Sequence, residues 1–208
     1  MTVVGIVPAG GSGERLGADR PKAFVVCAGR PLVEWSVEVL ESVCDRVVVA
    51  VPPGLEHPPD RISGGASRST SVRNALEAAP EATVVVVHDA ARPLVTPDLV
   101  QRCLDGLSGV DGAIAAIPVS DTVHVAASDR LIRDSPDRST LWAAQTPQVF
   151  HAAALRRAYD SNQEATDEAS LIAAAGGTVR LVEGPSDNIK VTTPADLRLA
   201  EALLRERC

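Results

Sequence analysis

The chain has 208 residues, of which 45% are apolar but only 2% aromatic, so valine, alanine and leucine have to fill its core. A formal net charge of −7 and the lack of any basic run argue against a nucleic-acid-binding surface. No apolar stretch reaches the length of a membrane span, no signal peptide opens the chain, and the four widely spaced cysteines are typical of reduced thiols in a cytoplasmic protein.

Strand and helix patterns alternate along the chain, which predicts an α/β fold with a Rossmann-like, mostly parallel sheet flanked by helices. Apolar, valine-rich runs predict strands over residues 3–7, 46–51, 83–88, 112–119, 141–146 and 178–183, with a last short strand over 187–192. Helical spacing and capping residues predict helices over 32–43, from 67 or 69 to 79, after 96, over 152–159 and 167–175, and after 193. Because no linker or repeat is visible, we expect residues 1–208 to form a single domain.

The alternation is interrupted between residues 120 and 141. Residues 122–126 and 131–133 have the pattern of two short strands around a turn at 127–130. A hairpin inserted into an α/β domain commonly forms an arm, and an arm is a natural means of dimerisation. We therefore expect a β-arm at about 120–141 that joins two copies of the chain into a homodimer.

The first loop of the chain carries the strongest functional signal. An apolar run ends at Pro8 and is followed by Gly10, Gly11 and Gly13, and then by Arg15 and Lys22. Glycines allow backbone N–H groups to approach an anion closely, because no Cβ stands in the way. Two cationic side chains just beyond such a loop predict a site for a polyphosphate, whose charge has to be both held and neutralised.

A dinucleotide-binding loop is the alternative at this point, since a strand followed by a glycine-rich turn also opens that fold. The glycine spacing here, Gly11-x-Gly13-x-x-x-Gly17, is not the usual G-x-G-x-x-G, and no Gly-Lys-Ser/Thr sequence closes the loop as in a P-loop. The second strand, over 46–51, is followed by two prolines and lacks the acidic residue that a dinucleotide site places there. A nucleoside triphosphate is therefore favoured over a dinucleotide.

Ligands of parallel sheets collect at the carboxyl ends of the strands, so the residues that follow each predicted strand are candidates. They are Arg15 and Lys22, the segment 64–71, Asp89 and Arg92, Asp121 and Thr122, Thr146, and Lys190. A lone carboxylate such as Asp89 beside a triphosphate is a usual ligand of Mg²⁺, although aspartate at a strand end also serves as a turn former. His88, within an apolar strand, is expected to be a hydrogen-bonded core residue, and Thr122, Thr146 and Thr166 are individually ordinary strand or cap residues.

Taken together, seven stretches resemble the 2-C-methyl-D-erythritol 4-phosphate cytidylyltransferases of the non-mevalonate isoprenoid pathway. They run in order across nearly the whole chain: VPAGGSGERLGADRPKAF at 7–24, GGASRSTSV at 64–72, VHDAARP at 87–93, PVSDTV at 118–123, DRSTLWAAQTPQVF at 137–150, TDEASL at 166–171 and DNIKVTTPADLRLAE at 187–201. The first alone would indicate only a sugar nucleotidyltransferase, whereas the combination is much more specific.

The resemblance implies transfer of CMP from CTP to methylerythritol 4-phosphate, with Mg²⁺ or another divalent cation as cofactor. It implies a nucleotide site formed by Pro8, Ala9, Gly10, Gly11, Ser12, Gly13, Gly64, Gly65, Ser71, Asp89 and Ala90, with Asp89 also touching the metal. The implied catalytic residues are Arg15, Lys22, Arg138 and Lys190. The implied substrate-binding residues are Asp89, Arg92, Thr122, Arg138, Thr146 and Thr166, with Arg138 reaching into the site of the partner subunit.

Four features depart from the pattern of the family: Gly10 in place of alanine, Thr70 in place of aspartate, His124 in place of lysine, and a short, proline-rich loop over 52–59. None removes a proposed catalytic group. Three other interpretations remain: a cytidylyltransferase for another polyol phosphate such as ribitol 5-phosphate, a non-catalytic nucleotide-binding protein, and a dehydrogenase. The presence of Arg15, Lys22, Asp89 and Lys190 together argues against the non-catalytic protein, and the glycine spacing argues against the dehydrogenase.

Overall fold

A seven-stranded sheet forms the centre of the protein in a computed structural model, which describes residues 1–11, 13–17, 20–54, 61–160 and 166–207. The strands are β1 Val3–Pro8, β2 Val26–Cys27, β3 Arg30–Pro31, β4 Arg46–Val51, β5 Arg61–Ser63, β6 Val84–Val87, β7 Gly112–Pro118, β8 Val125–Ala126, β9 Ile132–Asp134, β10 Trp142–His151 and β11 Val179–Glu183. The α-helices are α1 Leu32–Glu41, α2 Arg68–Glu77, α3 Pro97–Asp105, α4 Ala152–Asp160, α5 Glu168–Ala174 and α6 Pro194–Arg207.

The strand order of the large sheet is β11-β7-β10-β6-β1-β4-β5. Every neighbouring pair is parallel except the two pairs that involve β10, which is antiparallel to both β6 and β7. From β1, the chain first adds β4 and β5 on one side and then crosses to β6 on the other. The order of the strands therefore reverses between β1 and β6, and this switch point is where open α/β sheets form their ligand crevices.

Alternating side chains of the strands build two apolar cores, one on each face of the sheet. On one face, Val4 and Val85 pack with α2, α4 and α5. On the other face, Val3 and Val86 pack with α1 and α3. Because both faces are covered, β6 consists of four consecutive buried valines, as expected for a central strand of such a sheet.

Capping residues fix where the helices start. Ser67 accepts a hydrogen bond from the backbone N–H of Thr70 at the start of α2, and Thr96 does the same for Leu99 at the start of α3. Of the two caps considered for α2, Ser67 is therefore the correct one. A proline occupies the first turn of α3, where its missing N–H has no helical partner to lose.

The α/β class, the mostly parallel sheet and the six helices predicted from the sequence are confirmed within the described residues. The predicted strand over 187–192 is wrong, because this segment bonds to the rest of the protein mainly through side chains and through one backbone bond, from Val191 N to Ala91 O. The predicted strand over 141–146 is too short, since β10 continues to His151 through a bulge between Ala144 and Gln148. The short strands β2, β3 and β5 were not predicted.

The segment between β7 and β10 contains an exposed antiparallel pair, β8 and β9. β8 is shorter than the predicted strand over 122–126, whereas β9 has the predicted length and is shifted by one residue from 131–133. Three large apolar side chains, Val125, Leu131 and Ile132, are 49%, 62% and 61% exposed in this hairpin. Apolar residues so open to water are typical of an interaction surface.

Within the described residues, no helix has both the length and the apolar character needed to cross a membrane.

Candidate active site

The loops that follow β1 and β6 face each other at the switch point of the sheet and enclose a cleft of about 410 Å³. The cleft is lined by backbone from the glycine loop, by the segment before α2 and by charged side chains. Of the residues predicted for the nucleotide, those that line it are Pro8, Ala9, Gly10, Gly11, Gly65, Asp89 and Ala90. The predicted catalytic residues Lys22 and Lys190 line it as well.

The glycine loop is folded so that Lys22 lies beside it. The backbone N–H of Lys22 donates to the carbonyl oxygen of Gly11 over 2.9 Å. Gly13 has a positive φ of 81°, and a Cβ there would lie 3.0 Å from the carbonyl oxygen of Arg20, so glycine is required at this turn. Gly13 and Arg15 line a second cleft of about 190 Å³, which shares Gly11 and Lys22 with the first. Ser12 lies outside the described residues.

The two lysines of the cleft are close enough to influence each other. Burial, and then the charge of Lys190, lower the pKa of Lys22 below its usual 10.5. Burial removes water from the ammonium group and Lys190 adds like-charge repulsion, so a polyphosphate bound beside Lys22 would stabilise its charged form.

Ser71 and Gly64 support the cleft from behind and do not line it. The Ser71 hydroxyl is buried, donates to the carbonyl oxygen of Ser67 and accepts from the backbone N–H of Gly65 at 3.1 Å. Gly64 is joined to β4 by a bond from its N–H to Val51 O. The resemblance implies that both residues belong to the nucleotide site, and in the ligand-free structure they position Gly65, which faces the cleft.

Asp89 follows β6 directly and is held by two cations. Its Oδ1 lies 2.9 Å from Nε of Arg68, and its Oδ2 lies 2.6 Å from Nζ of Lys190. Burial alone would raise the pKa of Asp89, but the charges of Arg68 and Lys190 outweigh burial and hold the pKa well below its usual range. The carboxylate is therefore ionised. Its direct partners are thus Arg68 and Lys190, and its charge also acts on Lys22, where it offsets part of the lowering of the pKa by burial and Lys190.

Arg68 is shared between two carboxylates. Besides Asp89, it contacts Glu168, whose Oε1 and Oε2 lie 2.9 and 2.7 Å from Nη1 of Arg68. The Glu168 side chain is only 1% exposed, and Oε1 also accepts a hydrogen bond from the Tyr159 hydroxyl at 3.1 Å. Burial works against the charge of Arg68, but Asp89 and Glu168 more than compensate and raise its pKa.

A third cleft, of about 210 Å³, adjoins the first and is where the predicted substrate residues meet. It is lined by Asp89, Arg92, Thr146, Thr166 and Lys190 among others. Asp89, Arg68 and Lys190 line both clefts, so a group bound in one would lie next to a group bound in the other. Four of the six residues predicted to bind the substrate, Asp89, Arg92, Thr146 and Thr166, therefore line one cleft.

A chain of hydrogen bonds fixes the floor of the third cleft. The backbone N–H of Asp89 donates to Thr146 Oγ1, which lies 3.0 Å from His88 Nδ1, and His88 Nε2 lies 3.1 Å from the carbonyl oxygen of Arg92. Since a carbonyl oxygen can only accept, Nε2 carries the proton and Thr146 donates to Nδ1. Burial lowers the pKa of His88 to about 4. The expectation that His88 is a hydrogen-bonded core residue is confirmed.

Lys190 reaches the cleft from a segment without regular structure, which Asn188 anchors. The buried Asn188 side-chain amide donates to Gln145 Oε1 at 3.1 Å and to Thr146 O at 2.9 Å. The backbone carbonyl oxygen of Asn188 accepts from Arg92 Nη1 at 2.6 Å. These bonds place the following turn across the carboxyl ends of the strands, which is why Lys190 faces Asp89 without a strand to carry it.

Thr122 and Arg138 lie outside these three clefts, near the ends of the segment that carries β8 and β9. Both are exposed, and Arg138 Nη1 donates to the carbonyl oxygen of Ser120 at 2.7 Å. Within one copy of the chain they are therefore not part of the site.

Arg68 and Glu168 are the two charged residues beside Asp89 to which the sequence analysis assigned no role. Arg68 lies in the segment 64–72, which was assigned to the nucleotide through its glycines and Ser71, and Glu168 lies in 166–171, where only Thr166 was given a role. The signal that could have identified the two residues is a charged side chain in each motif that no role explains. Their burial and their pairing, across 100 residues of sequence, depend on how α2 and α5 pack.

The departures noted in the sequence do not disturb the site. A Cβ at Gly10 would lie 3.6 Å from Ser71 Oγ, an ordinary contact, so the glycine is not sterically required. Thr70 bonds to Ser67 at the start of α2, and His124 bonds to Ser135 in the hairpin. The loop over 52–59 lies partly outside the described residues.

The comparisons with known proteins agree with this geometry. The sequence model of the IspD family, described as 2-C-methyl-D-erythritol 4-phosphate cytidylyltransferase, matches residues 3–206. The chain belongs to this family. The resemblance predicted from the seven sequence stretches is thereby confirmed.

Relatives of that name match the chain over nearly its full length. The 2-C-methyl-D-erythritol 4-phosphate cytidylyltransferase of Nocardia farcinica is 43% identical over 219 residues, covering 99% of this chain and 95% of the relative. The one from Microcystis aeruginosa is 40% identical over 224 residues, covering 97% of this chain and 98% of the relative. The crystal structure of the Thermus thermophilus cytidylyltransferase superimposes with a TM-score of 0.85 at 39% identity, covering 99% of this chain and 100% of that one.

Proposed function

We propose that this chain transfers CMP from CTP to 2-C-methyl-D-erythritol 4-phosphate, releasing pyrophosphate and forming 4-diphosphocytidyl-2-C-methyl-D-erythritol for isoprenoid biosynthesis. The observation that supports this most directly is the meeting of two clefts at Asp89 and Lys190. One cleft has the glycine loop suited to a triphosphate, and the other has Arg92 and the threonines suited to a phosphorylated polyol. Membership of the cytidylyltransferase family supports the same pair of substrates.

The reaction requires no covalent intermediate with the protein. A phosphate oxygen of the acceptor attacks the α-phosphorus of CTP, forming a new P–O bond. The bond between the α-phosphorus and the oxygen that bridges to the β-phosphate breaks, and pyrophosphate leaves with the electron pair. Because the nucleophile is already an anion, no general base is required, and catalysis consists of positioning and charge stabilisation.

The charged residues of the site have matching roles in this mechanism. Arg15 and Lys22 lie where the glycine loop would hold the β- and γ-phosphates, so they stabilise the charge that develops on the leaving pyrophosphate. Lys190, between the two clefts, reduces the repulsion between the acceptor phosphate and CTP. The backbone N–H groups of the glycine loop contribute further fixed dipoles.

Asp89 fits a divalent cation as part of this proposal, with Mg²⁺ preferred. Its carboxylate is ionised, and Lys190, the partner of Oδ2, is exposed enough to turn to a phosphate and so leave that oxygen to a metal. Among the described residues, no group of three or more His, Cys, Asp or Glu side chains is arranged to hold a metal. Mg²⁺ would accordingly take further ligands from phosphates and water, its common manner of binding nucleotides, and would neutralise part of the phosphate charge.

The proposal includes a homodimer formed through the β8–β9 hairpin. The exposed Val125, Leu131 and Ile132 supply the apolar surface that such an interface would bury. Arg138, at the base of the hairpin, then reaches the acceptor phosphate in the site of the partner subunit, and Thr122 contributes from the same region. A cytoplasmic location belongs to the proposal as well, because Cys27, Cys44 and Cys103 are unpaired thiols, as is usual in a reducing compartment.

The experiment that tests the function is pyrophosphate release with Mg²⁺ and CTP, comparing methylerythritol 4-phosphate with ribitol 5-phosphate. Release with the first acceptor alone is the expected result. Release with ribitol phosphate alone would keep the chemistry but contradict the proposed acceptor. The absence of pyrophosphate release with both acceptors would contradict the transferase activity itself and favour a protein that only binds nucleotide.

A further inference from the structure

The two cations that hold Asp89 are anchored very differently. The Lys190 side chain is 42% exposed. Among the described residues, its ion-pair partner is Asp89. The ammonium group can therefore turn away towards a bound phosphate. Arg68 cannot leave in this way, because Nη1 is fixed by the fully buried Glu168 and Nε faces Asp89.

A divalent cation that binds Asp89 has to share it with the Arg68 guanidinium. Two positive groups would then compete for one carboxylate inside a largely buried site, where charges are poorly screened. Glu168 supplies a second negative charge to the same guanidinium, with both of its oxygens within 2.9 Å of Nη1. Arg68 thus keeps a counter-charge when Asp89 turns to the metal. A buried guanidinium without a counter-charge would be strongly destabilised.

We propose that Glu168 is a positioning residue that acts through Arg68: it compensates the charge of Arg68 and so leaves Asp89 available to the metal–nucleotide complex. This inference rests on the proposed function, because it takes CTP and a divalent cation as ligands of the site. It adds a role for Glu168, which lines neither cleft and acts on them through Arg68, which lines both. It also links α5, which begins next to the acceptor residue Thr166, to the nucleotide cleft.

The test uses calorimetry with Mg²⁺ and CTP in the absence of acceptor. The affinity for CTP is measured in EDTA and in saturating Mg²⁺. The ratio of the affinity in Mg²⁺ to the affinity in EDTA is called the metal gain. In Glu168→Gln, which keeps the shape and loses the charge, we expect this gain to fall by about tenfold or more because the buried Arg68 then depends on Asp89 alone. The affinity in EDTA should not weaken, since the site has become more positive.

Two controls separate this role from a merely structural one. Tyr159→Phe removes the hydrogen bond to the same Glu168 oxygen without changing any charge, and should keep the metal gain of the unmodified chain. In an Arg68→Gln background, the further change Glu168→Gln should have no effect on the gain, because the charge it compensates is gone. This double variant also keeps the test valid if Glu168→Gln alone folds poorly.

Two results would overturn the inference. One is an unchanged metal gain in Glu168→Gln, which includes an equal loss of CTP affinity with and without Mg²⁺, and the other is a metal gain near one in the unmodified chain. Neither of these depends on which acceptor the chain uses. Failure of the proposed transferase function would appear instead in the pyrophosphate assay, so the two can be told apart.

Discussion

Lys190 and Asp89 form an ion pair across the candidate active site, with Nζ 2.6 Å from Oδ2. Asp89 is placed by β6, whereas Lys190 comes from the irregular segment before α6, so the pair closes the site from two distant parts of the chain. In the ligand-free protein it neutralises a carboxylate that is otherwise buried. In the proposed mechanism, entering phosphates would compete for the same lysine and would leave the carboxylate available to a cation.

The first prediction concerns the cations of the glycine loop. Arg15→Ala and Lys22→Ala should each lower kcat by about 10²–10³-fold, because each removes a preorganised positive group from the developing pyrophosphate charge. Steady-state pyrophosphate release measures the effect, and circular dichroism checks that the fold is intact. Arg46→Ala is the control, since Arg46 pairs with Glu81 away from the site. Turnover like that of the unmodified chain in both variants would remove these residues from the mechanism.

The second prediction follows from the lowered pKa of Lys22, which arises from burial and then from Lys190. A lysine that binds a polyanion must be protonated, so the affinity for CTP falls as pH rises through its pKa, by up to about tenfold per pH unit. Because the pKa lies below 10.5, this loss should begin at a lower pH than for an ordinary lysine. Calorimetry in EDTA over a pH series measures it.

Lys22→Arg is the matched variant for this pH series. A guanidinium stays charged throughout the range, so the affinity of the variant should decline less steeply at alkaline pH. If both proteins lose affinity in parallel, another group is responsible for the pH dependence.

The sequence was sufficient for the fold because local patterns agree with the tertiary structure here. Four valines without a polar residue indicated that β6 is covered on both faces, and Thr96-Pro97 marked the start of α3. It was also sufficient to bring Asp89 to the ligand-binding edge of the sheet, because Asp89 follows the carboxyl end of β6. Thr146 and Lys190 reach the same edge by other means, from the bulge of the antiparallel β10 and from an irregular segment.

Prediction from the sequence failed for the features that tertiary packing determines. The length of β10 depends on its pairing with β6 and β7, and the segment that carries Lys190 is shaped by side-chain bonds from Asn188 rather than by its apolar pattern. Arg68 and Glu168 are charged residues on helices, and such residues are usually solvated. Only the packing of α2 against α4, and of α4 against α5, reveals that this pair is enclosed.

The third prediction tests the proposed role of Arg138 in the partner subunit. Arg138→Ala should raise KM for methylerythritol 4-phosphate with a smaller effect on KM for CTP, because the residue lies outside the nucleotide cleft. An unchanged KM for the acceptor would contradict the role.

Mixing two weakly active variants shows directly whether Arg138 acts in the site of the partner subunit. In a hybrid of Arg138→Ala and Lys22→Ala chains, one of the two sites receives an intact Lys22 from one subunit and an intact Arg138 from the other. After subunit exchange, about one site in four should be functional, so two weakly active preparations should gain activity on mixing. If the mixture shows only the mean of the two separate activities, Arg138 acts within its own chain or not at all.

The last prediction concerns the core, where Gly112 at the start of β7 lies against Phe150 of β10. A Cβ at Gly112 would come within 2.7 Å of Cε1 of the fully buried Phe150 ring. Gly112→Ala should therefore lower the free energy of unfolding by about 1–3 kcal/mol, because the ring has little room to move in a close-packed core. The double variant Gly112→Ala/Phe150→Leu should be more stable than the sum of the two single changes predicts, since leucine removes the clash. Urea denaturation of the four proteins measures this coupling, and strict additivity would show that the strand, not the ring, absorbs the extra methyl group.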